Sequence, residues 1–377
     1  MGLKQRLQVK HGEVVSGVDS NADLDPIPRN SGRRTWGWVS LTGFWISEAF
    51  SISMYQVKMV IMPIFGLALF IWAVATAHGF GPVFSKPSQI TDGTPVAVVF
   101  LQCVTSAIGP KATLALNMPD FTRYAHSPRQ IIWTQALGLI VLVSLCGVLG
   151  ATVTSASEII YGVQTWNPLQ VAALWNNRAA QFFAAFCWSL AAIGTNLSAN
   201  SVSFSNDLSL WFPRYINARR GAYVCAVLSI LSCPWYIQED AASFSSFLGG
   251  YSLFLGSLAG IIIVDYWIIR RRQLRVHSLY DPRGTHFFTR GFNLRAFAAF
   301  ICGIAPNLPG LANACGQSGV PVGAVYLYSL SWLVSILVSG GVYWGLCKVW
   351  PVAVDDDEGG IWEGVEVTTK EVENSAH

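Results

Sequence analysis

The stretch WGWVSLTGFWISEAFSISMYQVKMVIMPIFGLALFIWAVATA, residues 36–77, is almost unbroken apolar sequence without a turn signal. A helix that spans a bilayer needs only about 20 residues, so this stretch is long enough for two spans. One span would end near Val57 and the next would begin near Met59, with Lys58 alone between them. Antiparallel helices are normally joined by about 2 to 8 residues. A normal connection between two spans is therefore missing at this junction.

The composition of the whole chain indicates an all-α integral membrane protein. Of its 377 residues, 52% are hydrophobic and only 12% are charged, whereas soluble domains have about 25% charged residues. We expect residues 1–35 to form a polar cytoplasmic tail, residues 36–349 the transmembrane domain, and residues 350–377 an acidic cytoplasmic tail. The eight cysteines are scattered, without the spacing of a metal site, and are interpreted as small hydrophobic residues.

Basic residues are concentrated in every second connection between the predicted helices, and this pattern predicts the topology. The predicted helices cover residues 36–57, 59–78, 96–117, 131–154, 180–203, 222–237, 245–269, 294–312 and 323–347. The connections after the third, fifth and seventh of them hold eleven arginines: Arg123, Arg129, Arg214, Arg219, Arg220, Arg270, Arg271, Arg272, Arg275, Arg283 and Arg290. The four connections 79–95, 155–179, 238–244 and 313–322 hold only Lys86 and Arg178. The positive-inside rule therefore places the arginine-rich connections in the cytoplasm.

This topology conflicts with two spans in residues 36–78. With a cytoplasmic N-terminus and two crossings there, every arginine-rich connection would lie outside the cell. Three explanations remain open. The two segments act as one span, an odd number of spans has been lost between them, or they form one tilted helix. Such a helix would be about 63 Å long, against a hydrocarbon core of about 30 Å.

Three predicted spans contain residues that lipid does not tolerate well. Lys111 follows a helix-breaking Gly109-Pro110 pair, so it is predicted to face a cavity or a polar partner, or else to reach toward the membrane interface. Asn196 and Asn200 lie on one helical face. Their amides are suited to hydrogen-bond either to the edge of a heterocyclic ring or to a neighbouring helix. Gly249-Gly250 indicates close helix packing or a break beside a cavity.

Several motifs resemble those of the nucleobase:cation symporter family 1, and within it those of the fungal uracil, allantoin and uridine permeases. The motifs are NADLDPIP at 21–28, NMPDFTRYA at 117–125, GTNLSAN at 194–200, SNDL at 205–208, FLGGYS at 247–252 and DY at 265–266. The resemblance covers nearly the whole chain. It implies a LeuT-like fold of two inverted repeats, of which this chain lacks most of the first and keeps about eight or nine transmembrane helices. The three whole helices implied to be missing are an odd number, as the charge pattern requires.

The resemblance also implies roles for individual residues. It assigns substrate binding to Lys111 and Asn200, a gate to Phe247 and Leu248, and a nearby polar position to Asn206. The sodium site of relatives would fall at Ala191, Gly194 and Thr195. Gly194 has no hydroxyl to offer a hard cation, which favours proton coupling.

The sequence thus predicts a proton symporter for a nucleobase-like solute such as uracil, allantoin or uridine. The rival hypothesis is a transport-dead truncated form that acts at most as the partner of a full-length permease. The sequence has no phosphate loop, His cluster or haem ligand pair of an enzyme, and we expect no cofactor, metal or nucleic-acid partner. The expected partners are the solute, the proton and the bilayer, and self-association is a further expectation. The expected location is the plasma membrane, or the endoplasmic reticulum for the truncated form.

Overall fold

The structure, a computed structural model, describes residues 9, 21, 23–27, 31–49, 55–82, 90, 93–165, 167–195, 200–233, 236, 241–274, 279 and 284–353. For 45–49, 55–65, 110, 191, 194–195 and 241–249 it describes the backbone alone. The helices are α1 Trp38–Ala49, α2 Tyr55–Thr76, α3 Val96–Thr122, α4 Pro128–Tyr161, α5 Pro168–Ala173, α6 Arg178–Thr195, α7 Val202–Trp211, α8 Ala218–Leu231, α9 Ala241–Val264, α10 Leu294–Ala314, α11 Val322–Tyr328 and α12 Ser331–Val349. A π-helical turn, Gly138–Leu142, lies within α4, and another, Asp265–Ile269, extends α9.

Five helical segments within the described residues are long and apolar enough to cross a membrane. They are Val96–Thr122, Pro128–Tyr161, Gly250–Ile269, Leu294–Ala314 and Ser331–Val349. Three other helices, α2, α6 and α8, lie at further predicted spans. The all-α membrane fold is confirmed.

Two predicted interruptions are wrong. Helix α2 continues through Lys58, and α3 continues through Gly109-Pro110. Proline removes one backbone N–H donor, here the one that would bond to the carbonyl of Ser106, but a long apolar helix tolerates that loss. Helix α1 ends at Ala49 and α2 begins at Tyr55, and residues 50–54 lie outside the described part of the chain.

Helices α1 and α2 lie one after the other along α4. Helix α1 packs against the first part of α4, up to Leu142, and α2 packs against the part from Val143 to Tyr161. Leu69 and Ala73 of α2 share a buried cluster with Val153 and Ala156 of α4. The two helices therefore lie in sequence order along α4. This order agrees with the first of the three sequence-based explanations, and both the single crossing and the loss of three helices stay predictions.

The segment before α1 joins two of the arginine-rich connections. The backbone N–H of Trp36 donates to the Tyr124 carbonyl at 2.9 Å, just after α3. The side chain of Asn21, which is fully buried, donates to the Ile216 carbonyl at 2.9 Å, just after α7. Arg123 in turn donates to the Asp25 carbonyl at 2.8 Å. The N-terminal segment and these two connections therefore lie at one end of the molecule, in agreement with the predicted topology.

Helices α9, α10 and α12 form the most closely packed part of the molecule through small residues. The Ser339 hydroxyl on α12 donates to the Ser257 carbonyl on α9 at 2.9 Å. A Cβ atom added at Gly303 of α10 would lie 2.6 Å from the Ser257 hydroxyl oxygen, and one added at Gly260 would overlap the Ile336 carbonyl oxygen. Small residues of this kind let membrane helices approach closely.

Candidate functional site

Helix α3 lies at the centre of the candidate site and contacts α1, α4, α7, α9 and α12. Its residues Leu114, Met118 and Phe121 are buried in a cluster with Phe44 of α1, and Leu139 and Leu142 of α4 pack against this cluster. On another face, the Thr105 hydroxyl donates to the Ser329 carbonyl at 2.5 Å, just before α12. Helix α3 therefore connects the first part of the chain with the α9–α12 core.

Lys111 lies on the side of α3 that faces α1 and α4. With 3.6 residues per turn, Lys111 shares a helical face with Leu114 and Met118, and its side chain is half-buried. Cys146 of α4 is close enough to Lys111 that the ammonium charge acts on its thiol. A lysine so far inside a span is costly to bury, which keeps Lys111 a functional candidate.

A hydrogen bond between two hydroxyls joins α3 to α9. Thr113 of α3 pairs with the Tyr251 hydroxyl, and Tyr251 directly follows Gly250. A Cβ atom added at Gly250 would lie 2.8 Å from a methyl carbon of Leu311, so the glycine allows α10 to approach α9. The backbone of Phe247 and Leu248 is helical within α9, and their side chains lie outside the described residues.

Lys111 and Thr113 face different ways. Residues that are two positions apart in an α-helix are separated by about 200° around its axis. The structure therefore brings α3 and the 247–252 motif together, but it directs Lys111 toward α1 and α4 rather than toward the Thr113–Tyr251 pair.

Asn206, on α7, lies near the C-terminal end of α3. The Asn206 amide donates to the Asp120 carboxylate at 3.0 Å. Since Asp120 lies nine residues after Lys111, this pair is about 13 Å from Lys111 along α3. Asn200 is exposed in the turn before α7, and residues 196–199, including Asn196, lie outside the described part.

The proposed cation positions are at the end of α6. Ala191, Gly194 and Thr195 have helical backbone, but their side chains lie outside the described residues. In the part of the chain whose side chains are described, no three His, Cys, Asp or Glu residues are grouped as metal ligands.

Two polar contacts of the site were not assigned from sequence. They are the Thr113–Tyr251 pair and the Asp120 partner of Asn206. Tyr251 lies in the FLGGYS motif and Asp120 in the NMPDFTRYA motif, so the motifs contained the signal. What sequence could not supply was the pairing, because it depends on how α3 packs against α9 and α7.

The fold is similar to that of known transporters. The inward-facing conformation of Mhp1 has a TM-score of 0.59 to this structure at 19% sequence identity, over 88% of this chain and 77% of Mhp1. A permease of Schizosaccharomyces pombe is 36% identical over 342 residues, which make up 85% of this chain and 57% of that permease. The allantoin permease of Saccharomyces cerevisiae is 34% identical over 312 residues, 79% of this chain and 49% of that permease.

These likenesses define, first, a multi-pass membrane protein with the LeuT-like fold of Mhp1. The model of the permease family for cytosine/purines, uracil, thiamine and allantoin matches residues 56–335. The chain belongs to this family of transporters, so the resemblance seen in the motifs is confirmed. It spans about half the length of the relatives it matches.

Proposed function

We propose that this chain derives from a proton-coupled importer of a nucleobase-like solute and contains part of its substrate site. The solute class is that of uracil, allantoin and related rings with amide-like edges, which agrees with the description of the family. Lys111 and Asn200 would bind the ring, Phe247 and Leu248 would cover it, and Asn206 would tune specificity from the end of α3.

One observation supports this proposal most directly. The Thr113–Tyr251 hydrogen bond joins the Lys111 segment of α3 to the 247–252 segment of α9. Two segments that the family resemblance assigns to one site are thus neighbours, although they are 138 residues apart. Hydroxyl groups inside a membrane are costly unless they are hydrogen-bonded. The Thr113–Tyr251 hydrogen bond therefore favours a stable contact between α3 and α9 beside a solute pathway.

The test of binding uses a version of the protein with the missing helices restored from the allantoin permease. Asn200→Ala should raise the KM for uracil or allantoin about tenfold or more, because it removes a hydrogen-bonding partner of the ring. Asn176→Ala, which removes an exposed amide outside the site, is the matched control and should leave the KM unchanged. Uptake of radiolabelled solute gives the KM, and surface biotinylation gives the amount of protein. An unchanged KM in Asn200→Ala contradicts the assignment.

Lys111 is tested in the same version by its effect on affinity and on pH dependence. Lys111→Ala should weaken uptake or abolish its pH dependence, whereas Lys348→Ala, at the end of α12, should do neither. If both properties survive in Lys111→Ala, the lysine reaches toward the interface and does not bind the solute.

The coupling ion is proposed to be the proton. Gly194 offers no side-chain oxygen at the position corresponding to the sodium site, and sodium requires several oxygen ligands. Uptake by the restored version should collapse with a protonophore and should be equal in sodium and choline buffers. A strict sodium requirement, or uptake that survives the protonophore, would refute proton coupling.

A second candidate is a transport-dead form. The order of α1 and α2 along α4, which agrees with one crossing in place of a complete first repeat, supports this candidate. In that role the chain would act, if at all, by associating with a full-length permease.

A further inference from the structure

Three tryptophans at one end of the molecule each have a cation above the ring. This end lies where α9 and α12 end and α10 begins, and the charge pattern predicts it to be cytoplasmic. Tryptophan and basic side chains are enriched at the headgroup level of a membrane. The pairs are Arg272 with Trp267 at 5.5 Å, Arg295 with Trp350 at 4.3 Å, and Lys348 with Trp344 at 3.8 Å, each from the cation to the ring centre.

A cavity of about 360 Å³ lies at this level, between the segment before α10 and the segment after α12. Its polar lining residues include Thr285, Thr289, Asn293 and Arg295. Among the described residues that line it, none is acidic. Arg295 therefore gives the described lining a positive charge.

Arg295 is held in place but still has an unused donor. Its guanidinium stacks on Trp350 and donates through Nη2 to the Pro351 carbonyl at 3.3 Å. Its Nε–H is buried and has no acceptor in the part of the chain that the structure describes. Because Nε is enclosed by protein, an anion in the cavity would instead accept from the terminal guanidinium N–H groups that the Pro351 carbonyl leaves unused.

The start of α10 adds to this attraction for an anion. The cavity includes Leu294 and Arg295, the first residues of α10, whose N–H groups lie at the positive end of the helix dipole. Asn293 caps the helix by accepting from the Ala296 N–H at 3.2 Å. Beside the cavity, Leu294 and Phe297 are exposed apolar side chains that face the surroundings of the bundle.

We propose that this cavity binds the phosphate group of an anionic phospholipid of the cytoplasmic leaflet. The phosphate oxygens accept from Arg295, the threonine hydroxyls and the first N–H groups of α10, and the acyl chains lie along Leu294 and Phe297. A lipid is favoured over free phosphate because the cavity lies at the headgroup level and borders this exposed apolar surface. The proposal does not depend on which solute is transported.

The test measures thermal unfolding of the purified full chain in detergent. Dioctanoyl phosphatidylglycerol, dioctanoyl phosphatidylcholine and inorganic phosphate are titrated separately. The anionic lipid alone should raise the unfolding temperature, and Arg295→Gln should weaken its apparent affinity about tenfold or more. Arg272→Gln and Lys348→Gln each remove a cation stacked on a tryptophan outside the cavity lining, so they are matched controls and should keep the wild-type affinity. If Arg295→Gln does not fold, Thr289→Val should show the loss of affinity instead.

Four outcomes would overturn the proposal. They are an unchanged affinity in the folded Arg295→Gln or Thr289→Val protein, an equal loss in the two controls, an equal response to phosphatidylcholine, and equal stabilisation by inorganic phosphate. The acidic run 355–358 follows the cavity closely in sequence. A lipid response that appears only after truncation behind Ala353 would therefore assign the cavity to the tail of this chain.

Discussion

Asp265 accepts hydrogen bonds from two buried side chains and so joins three helices. Arg270 Nε donates to Asp265 Oδ2 at 2.9 Å, and the Tyr343 hydroxyl of α12 donates to Oδ1 at 2.8 Å. The Asn293 amide, at the start of α10, donates to the Tyr343 hydroxyl at 3.3 Å. Arg270 is only 2% exposed, and the Asp265 carboxylate is the counter-charge that compensates its buried guanidinium. The sequence showed DY at 265–266 only as a family motif, because the pairing of Asp265 with Tyr343 depends on the packing of α12.

Removing the carboxylate should destabilise the protein strongly. Asp265→Ala leaves Arg270 buried without its counter-charge, which costs about 3 kcal/mol. The double variant Asp265→Ala with Arg270→Met removes the charge as well and should recover much of the loss. Thermal unfolding of the purified chain in detergent measures both effects. A double variant as unstable as the single one would show that packing, not the buried charge, explains the loss.

At the level of the helices, the close approach of α9, α10 and α12 leads to a second prediction. Gly260→Ala places a methyl group against the Ile336 backbone carbonyl, which cannot move without shifting α12. The expected loss is about 1–3 kcal/mol. Gly345→Ala on α12 is the matched control, because nothing lies within 4 Å of its added Cβ atom. Alanine is the better helix former, so the control should be neutral or slightly stabilised.

Thermal unfolding of the two glycine variants decides the point. Equal unfolding temperatures would mean that α9 and α12 are not in close contact at Gly260. A lower value for Gly260→Ala alone supports the packing of small residues described above.

The helices were predictable from sequence, whereas their interruptions and partners were not. Apolar length identified the helices α3, α4 and α10 to within seven residues at each end, whereas the predicted span 323–347 is divided into α11 and α12. Lys58 and Gly109-Pro110 were expected to interrupt helices, but a single lysine or proline does not end a helix that neighbouring helices support. In the candidate site, too, the helices were predictable and the contacts between them were not. The motifs identified α3 and α9, while the hydroxyl pair that joins them depends on helix rotation, which the sequence does not specify.

At the scale of the whole molecule, α1 and α2 lie in sequence order alongside α4, as a single crossing would require. Helix α4 has 34 residues and is about 51 Å long, so the two shorter helices fit along it in sequence order. The conflict in the arginine pattern required either this arrangement or the loss of an odd number of spans. In the complete inverted-repeat fold, the substrate site has walls from both repeats. A chain with most of one repeat missing has only part of that enclosure.

The last prediction is therefore that the 377-residue chain by itself does not transport. Loss of the predicted helices would remove one wall of the substrate site and the packing that it provides, at a cost of a few kcal/mol against a typical stability of about 5–15 kcal/mol. We expect retention in the endoplasmic reticulum and rapid turnover. The measurement is expression of this open reading frame, fluorescently tagged, in a strain that lacks its own uracil and allantoin permeases, with the restored version as the positive control. Surface fluorescence together with saturable uptake of uracil or allantoin by the 377-residue chain would contradict the prediction, since it would mean that one crossing can replace the missing helices.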